Sequence, residues 1–307
     1  MPEDAAALRN RLVGVMVPLI TPFDANLDVD WDAYDRHVEW LLAEGVRVLL
    51  AADLVGEVWA LTVEEKALLF QRTARVARGR AVVVAKISEP ALGSAAALAI
   101  MARDAGVNAV KVTLPAGIRP ADEETLAYLL QAALPAGLPF LVETNGDDVS
   151  LAVLDRLAER PDFVGVEEAG QSLDRLQTLV DRYGADVPVI CGAEDVLGWA
   201  LLSGAAGFMT ASPNFAPRFM AELAKAGRAG DAVQTLALFG RLRRFRALLR
   251  ADLAAGRPVF ASYAKAALAL LGRPVGPPRP PLRPLTRAET TTLAAVLQEE
   301  LGIAVEG

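Results

Sequence analysis

Short runs of Val, Leu, Ile and Ala alternate along this chain with longer stretches whose apolar residues recur at helical spacing. The runs fall at residues 15–20, 46–52, 81–87, 109–114, 140–144, 163–167, 187–191 and 207–210. Both alternating faces of each run are apolar, the pattern of a parallel strand covered on two sides. Between them, 63–78, 92–105 and 172–183 read as amphipathic helices. Thr62 followed by Glu65 forms a capping-box signal, and Gly45, Gly79, Gly106 and Gly184 stand where helices should stop. Eight β/α units in series predict an α/β chain closed into a (β/α)8 TIM barrel over residues 12–225. No Gly-x-Gly-x-x-Gly follows the first run, which removes the main support for a dinucleotide-binding sheet.

Beyond about residue 225 the strand pattern ends. Helical spacing returns at 231–250, 262–271 and 286–301, so 226–307 is expected to be a C-terminal helical extension packed on the barrel. Residues 273–284 are rich in proline, which cannot donate ladder hydrogen bonds, and read as a stiff connector.

Composition narrows the function. The chain has 307 residues, 53% of them hydrophobic, with a net charge of −7 and acids and bases interspersed. That bounds a large buried core and excludes the basic footprint of a nucleic-acid binder. The one dense basic run, Arg241, Arg243, Arg244, Arg246 and Arg250, reads as a solvated helix face or a subunit contact. A single cysteine, Cys191, rules out an internal disulfide and fits a reducing compartment. A single histidine, His37, leaves no His/Cys zinc site. No secretory signal and no apolar run of about 18 residues is visible. The expectation is a cytoplasmic protein with neither membrane nor nucleic acid as a partner.

In such barrels chemistry gathers where the strands end, at their C-terminal mouth. Asp53, Lys86, Glu143, Glu167 and Glu194 place charge there. Glu143 and Glu167 close consecutive strands, so both are expected to point inward with their carboxylates within about 7 Å. Like charges that close raise one pKa, which makes a general acid. The pair would equally supply two oxygen ligands to Mg2+ or Mn2+. Lys86 is read as their counter-ion, or as a nucleophile if its proton could be removed. The parity of Lys111 is not fixed by the pattern, and it stays outside the candidate set.

The segments 14–24 (GVMVPLITPFD), Gly56–Glu57, 104–106, 164–169 (VGVEEA), 204–207, 214–217 (NFAP) and 265–272 (KAALALLG) occur in the order seen in one family. The chain resembles the dihydrodipicolinate synthase/N-acetylneuraminate lyase family from about residue 12 to 301. The resemblance implies a homotetramer or dimer and a small-molecule acid substrate. It also implies aldol chemistry through an imine between a strand-six lysine and a 2-oxo acid. Nearly every hallmark side chain of that mechanism is altered, although Gly56-Glu57 remains. Glu167 stands at the lysine position, Glu143 at the proton-relaying tyrosine, and Leu54-Val55 at the carboxylate-binding Thr-Thr pair. Ala116-Gly117 replaces a tyrosine pair, and the family's arginine after strand five aligns near Asp148. The resemblance and the mouth positions give a substrate-binding set of Leu54, Val55, Gly56, Glu57, Asn145, Gly192 and Asn214. The catalytic set is Glu143, Glu167 and Lys86. Cys191 is read as core, and Ser212 as a further hydrogen-bonding group.

Three readings follow. In the first, a divergent lyase uses carboxylates, with or without Mg2+ or Mn2+, for aldol cleavage, condensation, hydration or dehydration of a small oxo- or hydroxy-acid. In the second, the fold persists as a catalytically retired binding or scaffold protein. In the third, the imine-forming lysine has moved to Lys86. The gain of ionisable groups at the mouth favours the first, since a retired site should fill with apolar side chains.

Overall fold

The computed structural model describes residues 4–254 and 260–305. Positions 255–259 and 306–307 of the expected extension lie outside the described residues. The eight apolar runs form β1 (Gly14–Pro18), β2 (Val48–Ala51), β3 (Val82–Ile87), β4 (Ala109–Val112), β5 (Phe140–Thr144), β6 (Phe163–Glu168), β7 (Val189–Cys191) and β8 (Gly207–Met209). They close in sequence order into a barrel, β1 pairing with β8, and every pairing is parallel. Several strands are shorter than their apolar runs, although pairing runs on past the end of β1, where Leu19 donates its N–H to Leu50 O at 2.9 Å.

The strands bury both faces. Inward-facing Met16, Val48, Leu50, Val82, Val84, Leu141, Ile190 and Met209 fill the interior. Outward-facing Val17, Leu49, Val83, Val110 and Val142 pack against the helices. A helix absent from the sequence reading, α1 (Ala5–Arg11), plugs the base of the barrel. Its Leu8 and the following Leu12 join the interior cluster. Arg9 anchors it by donating to Phe163 O at 2.7 Å, where β6 begins. Around the wall run α2 (Trp31–Ala43), α3 (Val63–Ala77), α4 (Leu92–Asp104), α5 (Asp122–Ala133), α6 (Leu151–Ala158), α7 (Leu173–Tyr183), α8 (Leu197–Leu202) and α9 (Pro217–Arg228). The Thr62–Glu65 capping box does open α3.

Four helices follow: α10 (Ala232–Arg241), α11 (Arg243–Ala254), α12 (Phe260–Leu270) and α13 (Arg287–Glu299). The single helix expected over 231–250 is thus divided at Leu242. Gly240 weakens the helix just before the break. The break also sets Leu242, Phe245 and Leu249 into one apolar cluster with Phe215 and Tyr263. Phe245 meets the Phe215 ring at 5.3 Å between centroids and the Tyr263 ring at 6.2 Å. The proline-rich stretch forms no regular element among its residues. It is tied down instead by Phe23 N–H to Val275 O at 3.1 Å and by Lys265 Nζ to Pro277 O at 3.0 Å.

Candidate active site

Register alone brings four charged side chains together inside the barrel. Lys86 on β3 is the neighbour of Lys111 on β4, and Glu143 on β5 is the neighbour of Glu167 on β6. Alternation gives them the parity of the interior residues Val84, Ala109 and Leu141. The Lys111 Nζ lies 2.6 Å from Asp53 Oδ2, 2.8 Å from Glu143 Oε2 and 2.5 Å from Glu167 Oε2. Glu143 Oε2 also accepts a short hydrogen bond from Lys86. Asp53 is aimed by the turn after β2, where its Oδ1 accepts the Leu54 N–H at 2.5 Å.

Lys111 is 1% exposed. Its burial works against the charge, but Asp53, Glu143 and Glu167 prevail and raise its pKa well above the usual lysine range. Glu143 moves the other way. Burial opposes its ionisation, yet Lys111 and Lys86 hold its carboxyl far below the ordinary range, and 22% of its side chain stays exposed to the cavity. Burial pushes Glu167 up to about 7. Lys111 pulls against this, and Glu143 and Asp53 add to it. Two carboxyls on neighbouring strands are thereby driven apart, one fixed as an anion and one able to exchange a proton near neutrality.

Above this cluster opens a cavity of about 130 Å³. Glu143, Glu167, Leu54, Val55 and Gly192 line it from the expected set. Gly192 has a steric reason to be glycine, because a Cβ there would stand 2.7 Å from Glu167 Oε1 and 2.9 Å from Ala169 Cα. Gln171, Glu194, Asp195, Thr210 and Arg246 complete much of the polar wall. Glu194 is buried and its pKa is raised by that burial, against the hydrogen bond it accepts from Ser212. Cys191 is also buried, its thiol pushed up to about 12 by desolvation.

The other expected residues stand apart from the cavity. Glu57 is 0% exposed and faces the C-terminal segment, with Oε1 2.7 Å from Lys265 Nζ and Oε2 accepting the Arg279 N–H at 2.7 Å. Gly56 presses against the first strand, where an added Cβ would lie 2.6 Å from Leu19 O, and its carbonyl accepts the Thr21 hydroxyl at 2.7 Å. Asn214 bridges strand ends. Its Oδ1 accepts Ile20 N–H at 3.2 Å and His37 Nε2–H at 3.0 Å, and its Nδ2 donates to Pro18 O at 2.8 Å. Asn145 is exposed and its N–H is held by Asp148 Oδ1 at 2.8 Å. Lys86 lies beneath the cavity wall, bound to Glu143. The Leu54 N–H, engaged by Asp53, is removed from the carboxylate-binding role expected of the Leu54–Val55 pair.

Three residues named in the sequence stand outside the catalytic and substrate-binding sets expected from it. Lys111 sits at the centre of the cluster and Asp53 supplies its third acid. Arg246 reaches the cavity from α11, although its basic run reads as a solvated face. The metal reading does not fit this geometry. Among the described residues no group of three or more His, Cys, Asp or Glu side chains is arranged to hold an ion. The point between Glu143 and Glu167 is taken by the Lys111 ammonium, which already neutralises the oxygens that Mg2+ or Mn2+ would need.

Comparison with known proteins gives the same framework a lineage. The 4-hydroxy-tetrahydrodipicolinate synthase of Acidiphilium cryptum is 31% identical over 288 residues, covering 92% of this chain and 97% of that protein. The enzyme of the same name from Anaeromyxobacter sp. is 31% identical over 283 residues, covering 91% and 94%. The crystal structure of dihydrodipicolinate synthase from Oceanobacillus iheyensis superposes with a TM-score of 0.90 at 26% identity, over 98% of this chain and 100% of that one. A model of the Dihydrodipicolinate synthetase family matches residues 11–300, and with it the barrel, the C-terminal helices and the relatives agree that this chain belongs to that family.

Proposed function

We propose that the chain is a lyase acting on a small oxo- or hydroxy-acid, with Glu167 as its acid/base in place of an imine-forming lysine. The observation that carries this reading is the position of Glu167. It lines the cavity, bonds Lys111 from below, and has a pKa raised to about 7. A group poised there both accepts and returns a proton at neutral pH. On a 4-hydroxy-2-oxo acid, the Glu167 carboxylate takes the 4-hydroxyl proton. The C3–C4 bond breaks, and its electron pair passes into the 2-oxo group as an enolate. Protonated Glu167 then returns the proton to C3. The ammonium groups of Lys86 and Lys111 offset the negative charge that grows above them. Neither lysine is suited to imine formation: three carboxylates hold Lys111 as an ammonium, which has no lone pair for a carbonyl, and Lys86 is tied to Glu143 beneath the cavity wall.

The buried acids also speak against a retired site, since burying charge without use is costly. The test is a pyruvate-release assay over a panel of 4-hydroxy-2-oxo acids. Glu167→Gln is expected to lower kcat by about 10² or more, the usual scale for a lost acid/base. Turnover unchanged in Glu167→Gln contradicts the assignment. Absence of turnover and of ligand binding in the parent protein supports the retired homologue instead. We further infer a cytoplasmic homo-oligomer, dimer or tetramer. Trp199 on α8 is 47% exposed and Leu173 on α7 is 38% exposed, apolar surface that a second copy would cover. A monomeric dihydrodipicolinate synthase variant is nevertheless known, at 25% identity and a TM-score of 0.83.

A further inference from the structure

An acid substrate needs a cation, and the cavity wall offers one. Among the described lining residues Arg246 is the sole basic side chain; Lys86 and Lys111 lie below, saturated by carboxylates. The Arg246 guanidinium is fixed in place. It stacks 3.9 Å over the Phe239 ring, and Nη1 donates to the Asp195 carbonyl at 3.0 Å. Its charge is poorly matched. The Asp195 carboxylate is 3.9 Å away and lies closer to Arg250, at 3.4 Å. Glu194 is biased toward its neutral form by burial. The Arg246 Nε is buried with no hydrogen-bond partner, as is Glu194 Oε2 on the same wall. The side chain is only 11% exposed, so bulk water does little to satisfy it.

We propose that Arg246, delivered by the C-terminal extension, binds the carboxylate of the substrate and so orients its reacting carbons toward Glu167. The proposal rests on the acid-substrate reading above. It follows that the substrate lies with its carboxylate toward α11 and away from the Leu54–Val55 turn, where Asp53 would repel it. A monocarboxylate fits this arrangement, because Asp53 and Glu143 give the opposite wall no further cation for a second acid group.

The experiment measures binding, separately from turnover. Pyruvate and its neutral amide, 2-oxopropanamide, are titrated calorimetrically into the parent protein, Arg246→Met, Arg246→Lys and Glu167→Gln at pH 7. Pyruvate is expected to bind the parent more tightly than the amide does. Arg246→Met should weaken pyruvate at least tenfold and leave the amide unchanged. Arg246→Lys should fall between, because it keeps the charge and loses the planar fork. Thermal melts confirm that each variant is folded, and Arg246→Lys serves alone if Arg246→Met is not. Glu167→Gln should still bind pyruvate, which separates loss of the anchor from loss of the acid/base. Pyruvate affinity unchanged in folded Arg246→Met, or no preference of the parent for pyruvate over the amide, overturns the proposal even if Glu167 proves essential to turnover.

Discussion

Replacing Lys111 by Met removes one ammonium from among three carboxylates that are 2.5–2.8 Å from it. The chain length and apolar volume are nearly kept, so the change is electrostatic. Breaking a buried ion pair by deleting one partner costs about 3–5 kcal/mol. The cost has a ceiling, because an orphaned carboxylate can take up a proton. Glu167, already raised to about 7, takes up its proton at little cost, so the ceiling is set by protonating a second carboxyl; from an ordinary pKa near 4.5 at pH 7 this costs about 3.4 kcal/mol, at about 1.36 kcal/mol per pH unit. A loss of about 3–4 kcal/mol at pH 7 is therefore expected. With about 2.1 cal/mol/K of unfolding entropy per residue, this corresponds to a fall in Tm of roughly 5–6 °C. The sign of the pH dependence is diagnostic. In the variant the native carboxyls have raised pKa values, so the native state binds more protons than the unfolded chain. Stability should fall as pH rises, and the deficit relative to the parent should shrink from pH 8 toward pH 5. Melts by circular dichroism across that range check this. A deficit below about 2 °C, or one that does not vary with pH, would refute the claim that Lys111 is the charged centre of the cluster.

Three other outcomes follow from the geometry. Glu167 has a folded pKa raised to about 7, so its ionisation removes stability as pH rises between about 4.5 and 7; Glu167→Gln should reduce that loss, by up to about 1.36 kcal/mol per pH unit, and parallel urea titrations of parent and variant compare the slopes. Gly192→Ala places a Cβ 2.7 Å from Glu167 Oε1, and overpacking of this kind costs about 1–3 kcal/mol, so a lower urea midpoint and a displaced Glu167 carboxylate are expected in a crystal structure of the variant. Light scattering at micromolar concentration should show a dimer or tetramer, and a monomer would remove the proposed assembly.

Much of the fold is legible because strand burial on both faces leaves a pattern of continuous apolar runs, and all eight lie within a few residues of the strands observed. Helix α1 was missed because seven residues carry too little periodicity, and its role appears only when the barrel base needs Leu8 and Leu12. Glu143 and Glu167 were legible because they end adjacent strands, where charge interrupts an apolar pattern. Lys111 was not, since one step of register decides whether a lysine points inward, and the sequence gives that step no mark. Its in-register pairing with Lys86 resolves the parity. Asn214 and Glu57 look like ligand-binding groups in one dimension, but their partners, Ile20, Pro18, Lys265 and Arg279, are distant in sequence. Arg246 was hidden for the same reason: helical spacing shows a basic face, and only the path of α11 shows what that face meets.

The proposed chemistry dispenses with a lysine imine. Incubation with pyruvate and borohydride, followed by intact mass measurement, tests it most directly, because borohydride converts any imine to a stable secondary amine. Lys111 is held protonated by three acids, Lys86 is bound to Glu143, and Glu167 occupies the strand-six position, so no specific adduct is expected. A stoichiometric mass gain mapped to Lys86 or Lys111 would rule out the carboxylate mechanism and make the chain an imine-forming aldolase with a relocated lysine.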